Sequence, residues 1–323
     1  MLWKNICLAA LGIAALSVSP AGAQEIPTIN LARQTAAEEN LWLMLAKPEL
    51  APNLGKAYKL EWSQFRASDP TFKAYEGGQI HFGTVSANAA VVAASKGVDF
   101  KMIASLSLES SKGSRTPYLV REDGPKTLAE MKGKTIGING YRSSIELWGR
   151  AGVIKGGLNP DRDVNWAVVP FPAMGEALRA GKIDVAGLPQ VFADGEMKKG
   201  GLRELFTSKT GVPFDEELIV LIGNPAFMKK YPEATKAFLS DLVAVNKVYL
   251  KDVKAARQAL LDAKLIALPP DILFNLVDYL RDPDMKINVE ALEKQQDLML
   301  QQGYQEKKIN IKDFVDQSLM PKG

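Results

Sequence analysis

The sequence predicts an α/β protein of two lobes separated by a cleft, and three observations carry that reading. The chain has 323 residues, 46% of them hydrophobic, enough to bury a sizeable core and long enough for two domains. It also echoes itself weakly at a spacing of about a hundred residues. Leu60-Glu61-Trp62-Ser63-Gln64-Phe65, a helical stretch and Gly78-Gln79-Ile80-His81-Phe82-Gly83 are answered by Val164-Asn165-Trp166-Ala167-Val168-Val169, a helical stretch and Gly181-Lys182-Ile183-Asp184-Val185-Ala186. Upstream, Thr28-Ile29-Asn30-Leu31 followed by Leu41-Trp42 parallels Thr135-Ile136-Gly137-Ile138 followed by Leu147-Trp148. Each copy alternates strand, helix, strand, helix, strand, as a parallel sheet covered by helices requires. Ligands of open α/β sheets bind beyond the carboxyl ends of the strands, so two such lobes imply a clamp on a small molecule.

Lys4, the apolar run from Ile6 to Val18, Pro20 and Ala21-Gly22-Ala23 have the three regions of a secretory signal, giving a signal peptide over residues 1–23 and a mature chain from Gln24. The run is shorter than the roughly 20 residues a membrane span needs. The only cysteine, Cys7, lies within it, so the mature chain has no thiol and relies on its core. Without Lys4 there are 39 basic residues against 37 acidic, a formal net charge of +2. Acids and bases are interspersed with no basic block, which argues against a nucleic-acid partner.

Pro27 to Leu31 reads as the first strand, and Ala36 to Lys47 as an amphipathic helix stopped by Pro48. Ala57 to Phe65 alternates as a second strand. Asp69 as N-cap and Pro70 at the first helical position start the next helix, which ends at Gly77-Gly78. Ile80 to Gly83 makes a buried strand, and Asn88 to Lys96 a small-residue helix closed by Gly97. Strands follow at Phe100 to Leu106 and Tyr118 to Arg121, with the polar loop Glu109 to Thr116 between them. Leu128 to Lys132 is a short helix. The strand Thr135 to Asn139 comes next, and Gly140-Tyr141-Arg142-Ser143-Ser144 turns from it into a helix over Ile145 to Ile154, where the second copy unfolds along the chain. A strand from Glu217 to Ile222 returns to the first lobe. The tail is helical in pattern over Pro232 to Lys251, Lys254 to Lys264, Pro270 to Leu280 and Val289 to Gln302. Phe238, Leu242, Val245 and Tyr249 recur at three- and four-residue spacing, the mark of a face packed on a sheet, so the tail reads as scaffold.

Catalysis lacks its usual groups. The one histidine, His81, stands where the second copy has Asp184, which suits a hydrogen bond at a strand end better than general-base work. There is no G-x-S-x-G elbow and no set of His and Cys ligands for zinc. Neither Gly133-Lys134-Thr135 nor Gly137-Ile138-Asn139-Gly140 completes a nucleotide-binding motif. No catalytic residue, metal or cofactor is expected. The positive signal is the Gly140 turn, which sets Ser143 and Ser144 at a helix start. Free backbone N–H groups, two hydroxyls and the helix dipole suit an anion there; the alternative is that either serine simply caps its own helix. Arg33, Arg66 and Arg142 stand just beyond strands or at helix starts, where a planar guanidinium suits sulfonate or carboxylate oxygens. Tyr141 and Phe171 offer aromatic walls.

The run Leu128-Ala129-Glu130-Met131-Lys132-Gly133-Lys134-Thr135-Ile136-Gly137-Ile138, the Gly140 to Ser144 turn, and Glu176-Ala177-Leu178-Arg179-Ala180-Gly181-Lys182-Ile183-Asp184-Val185 resemble the periplasmic solute-binding proteins of nitrate, sulfonate and taurine ABC importers. That grouping also takes in binders of pyrimidine thiamine precursors. With the signal and the helical tail, the resemblance covers nearly the whole chain. It implies a type II periplasmic-binding fold, each lobe a mixed, mostly parallel sheet flanked by helices. Lobe 1 would hold residues 24–121 and 218–323 and lobe 2 residues 122–217, with the chain crossing twice and a hinge near Leu119 to Asp123 and Glu216 to Leu221. By position the ligand loops fall at Ala32 to Gln34, Arg66 to Ser68, Thr84 to Ser86, Gly140 to Ser144, Pro170-Phe171 and Leu188 to Gln190. The implied binding set is Arg33, Gln34, Arg66, Ser68, Thr84, Ser86, Tyr141, Arg142, Ser143, Ser144, Phe171, Leu188 and Gln190. His81 replaces the family's usual Asp, and Gly187-Leu188-Pro189-Gln190 lacks its common aromatic residue, which leaves room for a larger or less charged ligand. The implied function is a monomeric receptor in the periplasm of a Gram-negative cell, capturing a small organic anion for an ABC permease and its ATPase. The alternatives are an enzyme on the same fold that makes a pyrimidine precursor, and a partner that presents ligand to a membrane sensor.

Export is expected to yield a chain that starts at Gln24. Intact-mass measurement of the exported protein checks this; a retained N-terminal segment would mean an anchor in place of a cleaved signal.

Overall fold

The computed structural model describes residues 25–322, so the expected signal over residues 1–23 lies outside the described residues. None of the described helices is long and apolar enough to cross a membrane. The first lobe is built from β1 (Thr28–Arg33), α1 (Glu39–Ala46), β2 (Lys59–Gln64), α2 (Ser68–Glu76), β3 (Phe82–Ser86), α3 (Ala87–Ser95) and β4 (Lys101–Glu109). The second holds β5 (Pro117–Arg121), β6 (Thr135–Ile138), α4 (Ser144–Lys155), β7 (Asn165–Val168), α5 (Phe171–Arg179), β8 (Val185–Gly187), α6 (Gln190–Lys198), β9 (Leu202–Thr207) and α7 (Ser208–Gly211). β10 (Glu216–Gly223) returns to the first lobe. It leads into α8 (Pro225–Lys230), α9 (Pro232–Lys251), α10 (Val253–Asp262), α11 (Pro270–Leu273) and α12 (Val289–Gln301).

The two sheets share one plan. Sheet one is ordered β2-β1-β3-β10-β4 and sheet two β7-β6-β8-β5-β9. In each, the strand in fourth place, β10 or β5, runs antiparallel to both neighbours while the others run together. That strand is the first element the chain forms after crossing between lobes. Because β5 pairs with β8 and β9, residues 117–121 belong to the second sheet, not to the first lobe as the sequence suggested. The crossings are therefore residues 110–116 and 212–215, each just before the expected hinge segments, of which 119–121 and 216–221 are held as strand by the ladders.

The internal echo is structural, with a shifted register. Leu31 pairs with Phe82, and Ile136 pairs with Val185, at equivalent places. That aligns Asn30 with Thr135, two residues from where sequence similarity puts the match, and aligns His81 with Asp184. His81 Nδ1 accepts the Asn30 N–H at 3.1 Å, and Asp184 Oδ2 accepts the Thr135 N–H at 2.9 Å. Imidazole and carboxylate thus satisfy the same strand-end donor, the role expected of His81. Its ring stacks on Phe227 with centroids 4.2 Å apart, and burial lowers its pKa, which keeps Nδ1 free to accept.

Three boundaries differ from expectation for local reasons. α1 begins at Glu39, not Ala36, because Ala37 takes φ 67° and the Glu38 carboxylate accepts the Gln34 N–H (2.6 Å) and the Trp42 indole N–H (2.7 Å). Both faces of that helix are covered, Glu39 to Met44 being buried, so it is enclosed where an amphipathic stripe was expected. α2 starts at Ser68 with Ala67 as its cap residue, which leaves Asp69 and Pro70 inside the first turn. α11 stops at Leu273 instead of reaching Leu280. β4 is an edge strand, and the Asp278 and Leu280 carbonyls accept from Ser114 N–H (2.9 Å) and Leu108 N–H (2.8 Å), so the segment is drawn out along that edge.

The tail otherwise packs as scaffold, with Phe238, Leu242, Val245 and Tyr249 of α9 fully buried. Arg281 ties it to the first lobe. Its side chain is 1% exposed, and its guanidinium pairs with Glu39, lies 3.4 Å from Asp278, and donates to Asn40 Oδ1 (3.1 Å) and Leu106 O (2.7 Å). Removing one member of a buried pair strands its partner's charge, so Arg281→Leu is expected to cost about 3–5 kcal/mol. Urea unfolding measures it; a loss under about 1 kcal/mol, the level of a surface ion pair, would contradict this account.

Candidate functional site

Six connections at the carboxyl ends of parallel strands face one another between the sheets, and they enclose a cavity of about 50 Å³. The first lobe contributes Gln34 to Ala37 after β1, Ser68 after β2 and Ser86 after β3. The second contributes Asn139, Ser143, Ser144, Ile145 and Trp148 after β6, Phe171 after β7 and Pro189 after β8. Thr116 from the first crossing, Leu218 and Ile219 of β10, and Tyr279 from the tail complete the lining.

Ser68 is the first residue of α2, Ser86 is the residue before α3, Ser143 caps α4 and Phe171 opens α5, so four helix N-termini converge here. Their free N–H groups and dipoles make the cavity electropositive without a cation. No lysine, arginine, histidine, aspartate, glutamate or cysteine is among the lining residues.

The hydroxyls form an ordered relay. Ser68 Oγ accepts the Ser86 N–H (2.9 Å) and the Gln34 Nε2–H (3.1 Å), while Gln34 also donates to Thr84 O (2.9 Å). With its acceptor sites filled, Ser68 gives its own proton to Ser86 Oγ, 3.2 Å away, and that frees the Ser86 hydroxyl to donate into the cavity. On the other wall, Ser143 Oγ caps α4 by accepting the Glu146 N–H (3.3 Å), and Ser144 Oγ donates across the cleft to Asn88 Oδ1 (2.7 Å). Asn88 Nδ2 also donates to Arg142 O (3.0 Å), and Tyr304 OH donates to Ser143 O (3.0 Å), so the two lobes are in contact. Ser143 and Ser144 therefore serve their helix and the lobe contact while lining the cavity.

Behind the walls lie buried acids. Trp148 donates its indole N–H to Glu216 Oε2 (2.8 Å), which also takes Lys209 Nζ (2.8 Å). Thr116 N–H and Ser208 Oγ both donate to Glu109 Oε1. Burial pushes the Glu109 carboxyl up to about 7 and raises that of Glu216.

Of the thirteen implied ligand residues, Gln34, Ser68, Ser86, Ser143, Ser144 and Phe171 line the cavity. The arginines do not. Arg33 follows Ile29 and Leu31 on the face of β1 that α1 covers, and its guanidinium lies 5.2 Å from the Trp42 ring centroid and 4.6 Å from that of Trp62, donating to Gln64 Oε1 (2.8 Å). Arg66 is exposed outside the cavity. Tyr141 and Arg142 line a separate depression with Glu146, Arg150 and Tyr304. Thr84 is buried behind Gln34, Leu188 is core, and Gln190 accepts from Ser114 Oγ (3.1 Å) beside the first crossing. Of the lining residues that the implied set omitted, Asn139 had a signal, its place at a strand's carboxyl end; its Oδ1 is buried with no protein partner. Thr116, Leu218, Ile219 and Tyr279 carry none, because each arrives from a distant segment.

The sequence model of a family described as NMT1-like matches residues 43–267. No curated protein matches the chain by sequence. Among solved structures, the periplasmic aliphatic sulphonate binding protein SsuA of Escherichia coli is similar at 18% identity and TM-score 0.71, covering 92% of this chain and 94% of that one. The alkanesulfonate-binding protein SsuA of Xanthomonas axonopodis, bound to MOPS, is similar at 17% identity and TM-score 0.72, covering 89% and 97%. The periplasmic nitrate-binding protein NrtA of Synechocystis is similar at 11% identity and TM-score 0.73, covering 91% and 87%. At these identities the likeness shows the fold, that of periplasmic binding proteins.

The buried acids give stability a pH dependence of known sign. Burial pushes Glu38, Glu109 and Glu217 each up to about 7, above the roughly 4.3 of an unfolded glutamate. Between those values the folded state holds more protons than the unfolded, so stability falls as pH rises through the window and levels off above it. The melting temperature is expected to be higher at pH 5 than at pH 8. Glu217→Gln, which keeps an amide for its Ser105 and Asn288 contacts, should shrink the difference; an unchanged difference would remove Glu217 from the account.

Proposed function

The chain belongs to the NMT1-like family, and on that footing we propose that it is a periplasmic solute receptor of an ABC importer. In this reading it takes a small organic anion, sulfonate or carboxylate, between its lobes and delivers it to an inner-membrane permease served by an ATPase. The observation that carries the proposal is the cavity itself, walled by both lobes, ringed by four helix N-termini and hydroxyls, with no His, Cys, Lys, Arg, Asp or Glu in its lining. Each helix end favours an anion by about 0.3–1 kcal/mol when exposed and by more when dry. The ligand's oxygens would lie against the Ser86 hydroxyl and the first N–H groups of α3 and α4, with Phe171, Trp148 and Tyr279 around the rest.

With no arginine in the lining, charge compensation falls to the helix ends, which suits one negative charge on a compact head. The described function of the sulfonate- and nitrate-binding structural neighbours points the same way. Residues 110–116 and 212–215 would act as the hinge, and closure would give the permease a distinct shape to recognise. Against an enzyme that spends its own histidine stands the position of His81, in a different depression beside Asn224 and Phe227 with Nδ1 already engaged.

Thermal unfolding against sulfonates, carboxylates, nitrate and pyrimidines tests the proposal. Ligand at a hundred times its Kd should add about 2.7 kcal/mol of stability. Ser86→Ala should weaken the responding anion by roughly tenfold or more, the loss of a hydrogen bond to a charge. Mass spectrometry must return the ligand unchanged. A ligand consumed, or a response confined to neutral pyrimidines, would overturn the reading.

A further inference from the structure

Two side-chain amides line the central cavity from opposite lobes, and each keeps an oxygen that no described residue uses. Gln34, buried at 8% exposure, has its orientation fixed. Its Nε2 donates at 2.9 Å to the Thr84 carbonyl, which can only accept, and at 3.1 Å to Ser68 Oγ. Both amide protons are thus spent, and Oε1 is left without a donor among the described residues, on a side chain that lines the cavity. Asn139 occupies the equivalent place in the second lobe, three residues past Ile136 as Gln34 is three past Leu31, where the two ladders correspond. Its Oδ1 is buried with no partner among the described residues.

The helix ends and the Ser86 hydroxyl supply donors, which suit the oxygens of an anionic head. They do nothing for two acceptors. When closure expels water, an acceptor left unmet costs the full loss of its hydration, so the ligand has to bring donors of its own. An ammonium group is a poor one here, since four helix N-termini converge on the cavity and no carboxylate lines it. A neutral hydroxyl carries no such penalty. We infer that the ligand is a compact hydroxylated organic anion, whose charged head lies against the N-termini of α3 and α4 and whose hydroxyls donate to Gln34 Oε1 and Asn139 Oδ1. This inference rests on the receptor reading and narrows it, because nitrate and unsubstituted sulfonates or carboxylates have no proton to give. The two amides then set specificity, one from each lobe, and a ligand that satisfies both bridges the lobes.

Calorimetric titration of the purified protein with propionate and with both enantiomers of lactate and glycerate reads the effect, since these acids add hydroxyls to one carbon chain. Ethanesulfonate and isethionate do the same for a sulfonate head. Each hydroxyl should tighten Kd by roughly tenfold or more. Alanine, with an ammonium where lactate has its hydroxyl, should bind no better than propionate. Gln34→Met keeps the length of the side chain and removes one acceptor, and Asn139→Ala removes the other. The readout is the ratio of hydroxylated to plain acid within each variant, which a general loosening of the site would leave in place. Each substitution should shrink the lead of glycerate over propionate by roughly tenfold. If propionate or ethanesulfonate binds as tightly as its hydroxylated counterparts, if alanine matches lactate, or if the ratio survives both substitutions, the hydroxyl inference is wrong and the receptor reading stands. If none of these anions binds, both fall.

Discussion

Two carboxylates set the relation between the lobes. Glu109 ends β4 and Glu216 opens β10, directly paired across the ladder, and each is fully buried where the chain crosses between sheets. A buried carboxylate costs several kcal/mol unless charge and hydrogen bonds compensate it. The compensation comes from outside the first sheet: Thr116 in the crossing, Ser208 and Lys209 in α7, and the Trp148 indole in α4. The second lobe is thus held against the first by groups that must stay together, and two of them, Thr116 and Trp148, also wall the central cavity. Glu109 Oε2 and Glu216 Oε1 keep no partner, in line with the raised affinity of both groups for a proton.

From that join the placement of the cavity follows. Each sheet puts its parallel strands' carboxyl ends toward the other, and each of those ends leads through a short turn into a helix. Helix N-termini therefore accumulate at the one place where both lobes meet. Serines at the helix starts supply hydroxyls of the right reach, and an electropositive cavity arises with no basic side chain in its lining. The arginines that stand nearby in sequence are spent elsewhere. Arg33 fills the space between two tryptophans, and Arg142 sits at φ 61° with its N–H given to Glu146 at 2.6 Å.

The fold was legible because its signals are local and repeated. Strand–helix alternation, the glycines after α2 and α3, and the stripe on α9 all act within a few turns of chain, and the structure follows them. The lining of the candidate cavity was legible only in part. Residues at strand ends and helix caps, such as Ser68, Ser86 and Ser143, could be placed by position along their own element. Side-chain direction could not, since whether Arg33 faces the cleft or α1 depends on which face of β1 the helix covers.

The sequence by itself determined two α/β lobes, an electropositive helix start at Ser143 and Ser144, and a hydrogen-bonding role for His81 at a strand end, because each depends on neighbours in the chain or on the internal repeat. Only the tertiary structure decided the rest. Tyr279 reaches the cavity because the β4 edge draws residues 278–280 out of the helix their pattern suggests. β5 joins the second sheet because pairing with β8 and β9 outweighs its nearness to β4 in sequence. Thr116, Trp148 and Tyr279 meet across more than a hundred residues of chain, and such long-range contacts are set by sheet order and buried charge, which no window of sequence contains.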